Sequence, residues 1–62
     1  MENEKQKYLV ALKANNGQLD EIALGEKLGF TEEKTNQIIA DLLADNKIEF
    51  QSFGLCSYRP TE

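Results

Sequence analysis

The sequence predicts an α+β domain: three helices packed with a small C-terminal two-stranded β-hairpin. Three observations carry this. Apolar residues recur at helical spacing in three segments. Residues that start and stop helices stand at the joints between them, Asp20 and Thr31 before helices and Asn16-Gly17, Gly29 and Asn46 after them. From Ile48 the apolar period changes to two.

The first helix is expected over about residues 4–14, with Asn3 as its cap and Gln6 reaching back to the Asn3 backbone. Tyr8, Leu9, Ala11 and Leu12 share one face, and Lys5, Lys7 and Lys13 point elsewhere. Asn15-Asn16-Gly17 stops it, since Asn and Gly tolerate a left-handed backbone. Gln18-Leu19 is long enough only for a bridge or a one-pair strand.

Asp20 then caps a second helix over about 21–28, whose apolar side is Ile22, Leu24 and Leu28. Gly25 inside it costs about 0.5 to 1 kcal/mol relative to Ala, which makes sense where another helix crosses close by. The third helix, about 32–45, is capped by Thr31, and Glu32 and Glu33 in its first turn complement the helix dipole. Ile38, Ile39, Leu42 and Leu43 form its expected buried stripe, with Asn36, Gln37, Ala40, Asp41 and Ala44 outside. Asp45-Asn46-Lys47 ends it. In the hairpin, about 48–59, Ile48 and Phe50 alternate with Glu49 and Gln51, Phe53-Gly54 turns, and Leu55 to Arg59 returns before Pro60.

A chain of 62 residues makes one domain, and at this size only about 60% of the unfolded surface is buried on folding. With 40% hydrophobic and 29% charged residues it falls in the globular range. Seven basic against eleven acidic residues give a net charge of -4, which repels a phosphate backbone at long range. No segment approaches the roughly 20 apolar residues of a membrane span, so no membrane partner and a cytoplasmic location are expected. Cys56 has no second cysteine to pair with, which fits a reducing compartment and leaves no zinc site of the usual spacing. It reads as a small buried hydrophobe. There is no histidine, no Gly-rich phosphate loop and no Ser nucleophile elbow, so neither enzymatic activity nor a cofactor is expected. Asp41 and Asp45, four apart, lack the further oxygen ligands a cation needs and read as a solvated face.

From Tyr8 to Tyr58 the residues resemble the winged helix-turn-helix family. The resemblance rests on Tyr8-Leu9-Val10-Ala11-Leu12 before Gly17, on Leu24, Gly25, Leu28 and Gly29 in the second helix, and on Phe30, Thr31, Ile39, Leu42 and Ile48 around the third. It implies a third helix that enters the DNA major groove, with Glu33, Asn36, Gln37 and Ala40 at the base edges. Asn and Gln can pair with adenine, and Glu can accept from cytosine. Phosphate contacts would fall to Lys34, Lys47 and Arg59, with Lys27 a further candidate. The chain departs from the family at Thr35, where a small or apolar residue is common, and at Asn46, where glycine is. It departs again at Glu32 and Glu33, where DNA readers carry Lys, Arg, Ser or Gln.

Two functions follow from these residues. One is a small winged-helix DNA-binding protein, a possible transcriptional regulator that reads duplex DNA with its third helix. The other is a winged-helix protein–protein interaction module without DNA binding, in which Glu32, Glu33 and Phe53 meet a protein partner. The plain alternatives are that Glu32 and Glu33 only complement the dipole, that Asn36 and Gln37 are merely solvated, and that Phe53 folds back on the core. A lone module would bury only about 600 to 1,000 Å² on DNA, so tight specific binding calls for a partner or self-association.

Overall fold

Helix starts and stops chosen by local chemistry divide the chain. In a computed structural model, which describes residues 2–52 and 54–61, helices α1 (Glu2–Asn15), α2 (Glu21–Lys27) and α3 (Glu32–Ala44) are followed by strands β1 (Ile48–Phe50) and β2 (Tyr58–Pro60). The strands pair antiparallel, with Ile48 opposite Pro60, Glu49 opposite Arg59 and Phe50 opposite Tyr58. This is an α+β, winged-helix-like layout. The side chain of Asp20 accepts from the Ala23 N–H at 2.7 Å, and that of Thr31 accepts from the Lys34 N–H at 3.1 Å, so both expected caps form.

The helix ends are equally specific. Gly29 at φ 88° lets its own N–H reach the Glu26 carbonyl and the Phe30 N–H reach that of Gly25. Asn46 at φ 59° repeats the arrangement at the end of α3, with Asn46 N–H to Leu43 and Lys47 N–H to Leu42. Both are Schellman closures that satisfy otherwise orphaned carbonyls. Helix α1 differs from expectation at its start: it begins at Glu2, so Asn3 lies within the first turn and is not its cap.

Tyr8, Leu9, Leu12, Leu24, Ile38, Ile39, Leu42, Ile48 and Cys56 form the core, with Ala11, Leu28, Phe30 and Tyr58 packed against it. The α3 stripe is shifted from the expected one. Thr35 is fully buried beside Ile38, Ile39 and Leu42, whereas Leu43 is 38% exposed. Positions 35, 38, 39 and 42 keep strict i, i+3, i+4, i+7 spacing, and Leu43 lies at its margin. The reason is the α2–α3 crossing. A Cβ on Gly25 would overlap the Thr35 hydroxyl and lie 2.8 Å from Thr35 Cγ2, so Gly25 permits the close approach that its position in the sequence suggested. The Thr35 hydroxyl enclosed there has no hydrogen-bond partner among the described residues.

Two expectations about the hairpin are corrected. Leu19 pairs with no strand, because the Asn15 side chain occupies both of its backbone groups: Asn15 Nδ2 donates to the Leu19 carbonyl at 2.8 Å and the Leu19 N–H donates to Asn15 Oδ1 at 2.9 Å. The return strand is also shorter than Leu55 to Arg59. Gly54 at φ 79° turns the chain so that the Leu55 N–H donates to the Gly17 carbonyl at 3.0 Å; the strand proper is Tyr58–Pro60, extended by the Gln51 N–H donating to the Ser57 carbonyl at 2.8 Å, and it takes in the Pro60 that was expected to end it. Phe53 lies outside the described residues.

Candidate interaction surface

Capping by Thr31 and burial of the Thr35, Ile38, Ile39 and Leu42 stripe fix which side of α3 faces solvent. Glu32, Glu33, Asn36, Gln37, Ala40, Leu43 and Ala44 are exposed. The residues expected at base edges, Glu33, Asn36, Gln37 and Ala40, thus share the outward face at i, i+3, i+4 and i+7. The Gln37 amide donates to Asp41 Oδ1 at 3.2 Å. No exposed position of α3 carries a cation.

The expected phosphate contacts do not gather beside that face as free cations. Lys34 is half-buried and turned onto α1, where its ammonium lies 2.7 Å from Glu4 Oε1. This hydrogen bond holds the Glu4 carboxyl below the usual carboxylate range. On β2, Arg59 places both Nη2 and Nε 2.7 Å from Glu49 Oε2 across the strand pair. Lys47 and Lys27 are exposed and enter no ion pair among the described residues. Exposed pairs of this kind are worth about 0 to 1 kcal/mol, so a phosphate could displace them. Each exchange would leave a carboxylate beside the phosphate, which offsets the gain.

A third ion pair, Lys5 Nζ to Asp45 Oδ2 at 3.2 Å, ties α1 to the far end of α3. Adjacent residues of α1 therefore reach positions on α3 separated by about 16 Å at 1.5 Å per residue, which requires α1 to cross α3. Lys7 adds a cation–π contact, its ammonium 5.8 Å from the centre of the Phe30 ring at the α2–α3 turn.

The hairpin is positioned from α2. The Glu21 carbonyl accepts from the Tyr8 hydroxyl at 2.8 Å, and its carboxylate accepts from the Ser57 N–H at 3.1 Å. The Gln51 side chain donates to the Cys56 carbonyl at 2.9 Å. Cys56 is buried, and desolvation pushes its thiol above the ordinary value, so it stays protonated. Beyond this anchor apolar surface emerges. Phe50, on the same strand face as Ile48, is 69% exposed and meets the Tyr58 ring edge to face, centroids 6.3 Å apart; Leu55 is also 69% exposed. Neither residue was singled out from sequence, because period two places Phe50 with Ile48 and cannot say where the helical layer ends.

Between the end of α1 and the sheet lies an open groove of about 680 Å³, lined by Lys13, Asn16, Gln51 and Arg59 among others. Among the described residues no group of three His, Cys, Asp or Glu is placed to hold a metal, and no helix is long and apolar enough to cross a membrane. The chain matches no protein-family model, no curated protein and no solved structure.

Proposed function

We propose that this chain is a non-catalytic, cytoplasmic winged-helix module that binds a protein partner through the outward face of α3. One observation carries the reading: every formal charge on that exposed face is negative, while the nearest cation, Lys34, is consumed by Glu4. Glu32 and Glu33, unpaired by any described residue, lie where a basic segment would find both carboxylates and no competing cation. Charge complementarity of this kind speeds encounter and excludes acidic competitors more than it adds affinity. Phe50 and Leu55, both exposed, supply apolar contact at the hairpin.

Titration of the isotope-labelled chain with a short Lys/Arg-rich peptide tests this. Shifts should concentrate on the first turn of α3 and disappear in the Glu32→Gln/Glu33→Gln variant. Shifts spread evenly over all acidic residues would refute a dedicated surface.

DNA binding is the second reading, supported by the common outward face of Glu33, Asn36, Gln37 and Ala40 on the helix that would enter the major groove. It requires Lys34 and Arg59 to exchange their carboxylates for phosphates. With Lys47 as a third contact, the log–log salt slope for duplex binding should have a magnitude of about 2 to 3. Neutralising Glu32 and Glu33 should tighten that binding, opposite to its effect on the peptide.

A further inference from the structure

We infer that Asn16-Gly17 is a site of spontaneous covalent modification, deamidation through a succinimide, whose isoaspartyl product frees the Leu55 end of the hairpin turn from the segment after α1. Asn16 is exposed, has φ 51°, and its side-chain amide has no partner among the described residues. The following N–H, that of Gly17, is likewise without a hydrogen-bond partner there, and glycine offers no side chain to hinder attack.

The other asparagines are protected. Asn15 spends its amide on the Leu19 backbone at 2.8 and 2.9 Å. Asn36 precedes an N–H inside α3, and Asn46 precedes Lys47, whose N–H is held by the Leu42 carbonyl at 2.9 Å. Asn3 precedes the bulkier Glu4 in α1.

In the reaction the Gly17 amide loses its proton to hydroxide and its nitrogen attacks Asn16 Cγ. A C–N bond closes the five-membered ring, and the Cγ–Nδ2 bond breaks as Nδ2 takes a proton from water, so that ammonia leaves and hydroxide is regenerated. Water then opens the ring at either carbonyl. One product is Asp; the other routes the main chain through Cγ. Nothing is oxidised or reduced, and both products add a negative charge where a neutral amide stood.

The position of the site gives the second product its effect. The Gly17 carbonyl accepts the Leu55 N–H at 3.0 Å, and the two glycine backbones pack so closely that a Cβ on Gly54 would lie 3.3 Å from the Gly17 oxygen. An isoaspartyl link lengthens the main chain by one carbon, about 1.5 Å, directly before that carbonyl. The contact cannot survive it unchanged.

Ageing the intact chain at mildly alkaline pH, followed by peptide mapping and labelling with an isoaspartyl methyltransferase, tests the site. The Asn16 peptide should convert faster than peptides holding Asn3, Asn36 or Asn46; equal rates would overturn the inference. Amide exchange then reads the consequence. Leu55 should lose protection in the isoaspartyl fraction and keep it in the Asn16→Asp variant, which has the charge without the extra atom. Unchanged Leu55 protection in the isoaspartyl form would overturn the release.

Discussion

The helical trio and the hairpin are held by different means. The helices are fixed redundantly: side-chain caps at Asp20 and Thr31, Schellman closures at Gly29 and Asn46, a continuous buried stripe, and ion pairs from α1 to both ends of α3. The hairpin has three-residue strands, buries Ile48 and Cys56, and is tied to the helices by the Leu55–Gly17 and Ser57–Glu21 hydrogen bonds. Loss of one contact should therefore be shared among many in the first region and felt locally in the second.

The sharpest break comes at the centre of the trio. Leu42 is 3% exposed, so Leu42→Ala should destabilise the domain by about 2 to 5 kcal/mol, read as a lowered denaturant midpoint with unfolding still concerted. Next, Gly25→Ala drives a methyl into Thr35 and should cost about 1 to 3 kcal/mol. Thr35→Ala in the same chain should recover part of that loss, because it empties the space the methyl needs; a double-mutant cycle measures the coupling.

These two substitutions also show what the sequence discloses. Gly25 announced a close crossing because glycine is otherwise unfavourable inside a helix, and Asp20, Thr31 and Asn46 act through bonds spanning three to five residues, which sequence spacing displays. The same periodicity set Glu33, Asn36, Gln37 and Ala40 on one outward face. It could not separate Leu43 from Thr35, since the stripe is centred by the α2 contact and not by hydrophobicity alone. Nor could it show that Glu4 takes Lys34, Glu49 takes Arg59, Asn15 takes Leu19 and Glu21 takes Ser57. Those pairings join polar groups of side chain and backbone, mostly distant in sequence, that have no pattern of their own.

Smaller effects should appear at the hairpin. Glu21→Ala removes the acceptor of the Ser57 N–H and should cost about 1 kcal/mol, with faster amide exchange at Ser57 and little change in α1 and α3. Uniformly faster exchange would mean that the two regions are not separable. The smallest effect concerns acid. Glu4 has a depressed folded-state pKa because of Lys34, so its stabilising contribution is present above the usual carboxylate range and fades as pH falls through the lowered value. Lys34→Met should flatten that part of the stability profile, and an unchanged acid limb would show that the pair contributes nothing.

Asn15 has a consequence beyond its helix. By saturating the donor and the acceptor of Leu19 with one side chain, it withdraws the segment that could have become a third strand, and on β2 the residue at the open rim, Pro60, has no N–H to offer. A bare strand rim is a template on which other chains assemble. An asparagine amide and a proline ring thus each take away a backbone group on the β2 side of this two-stranded sheet, and the rim of β1 that carries Phe50 is left as the side onto which a neighbouring strand could be copied.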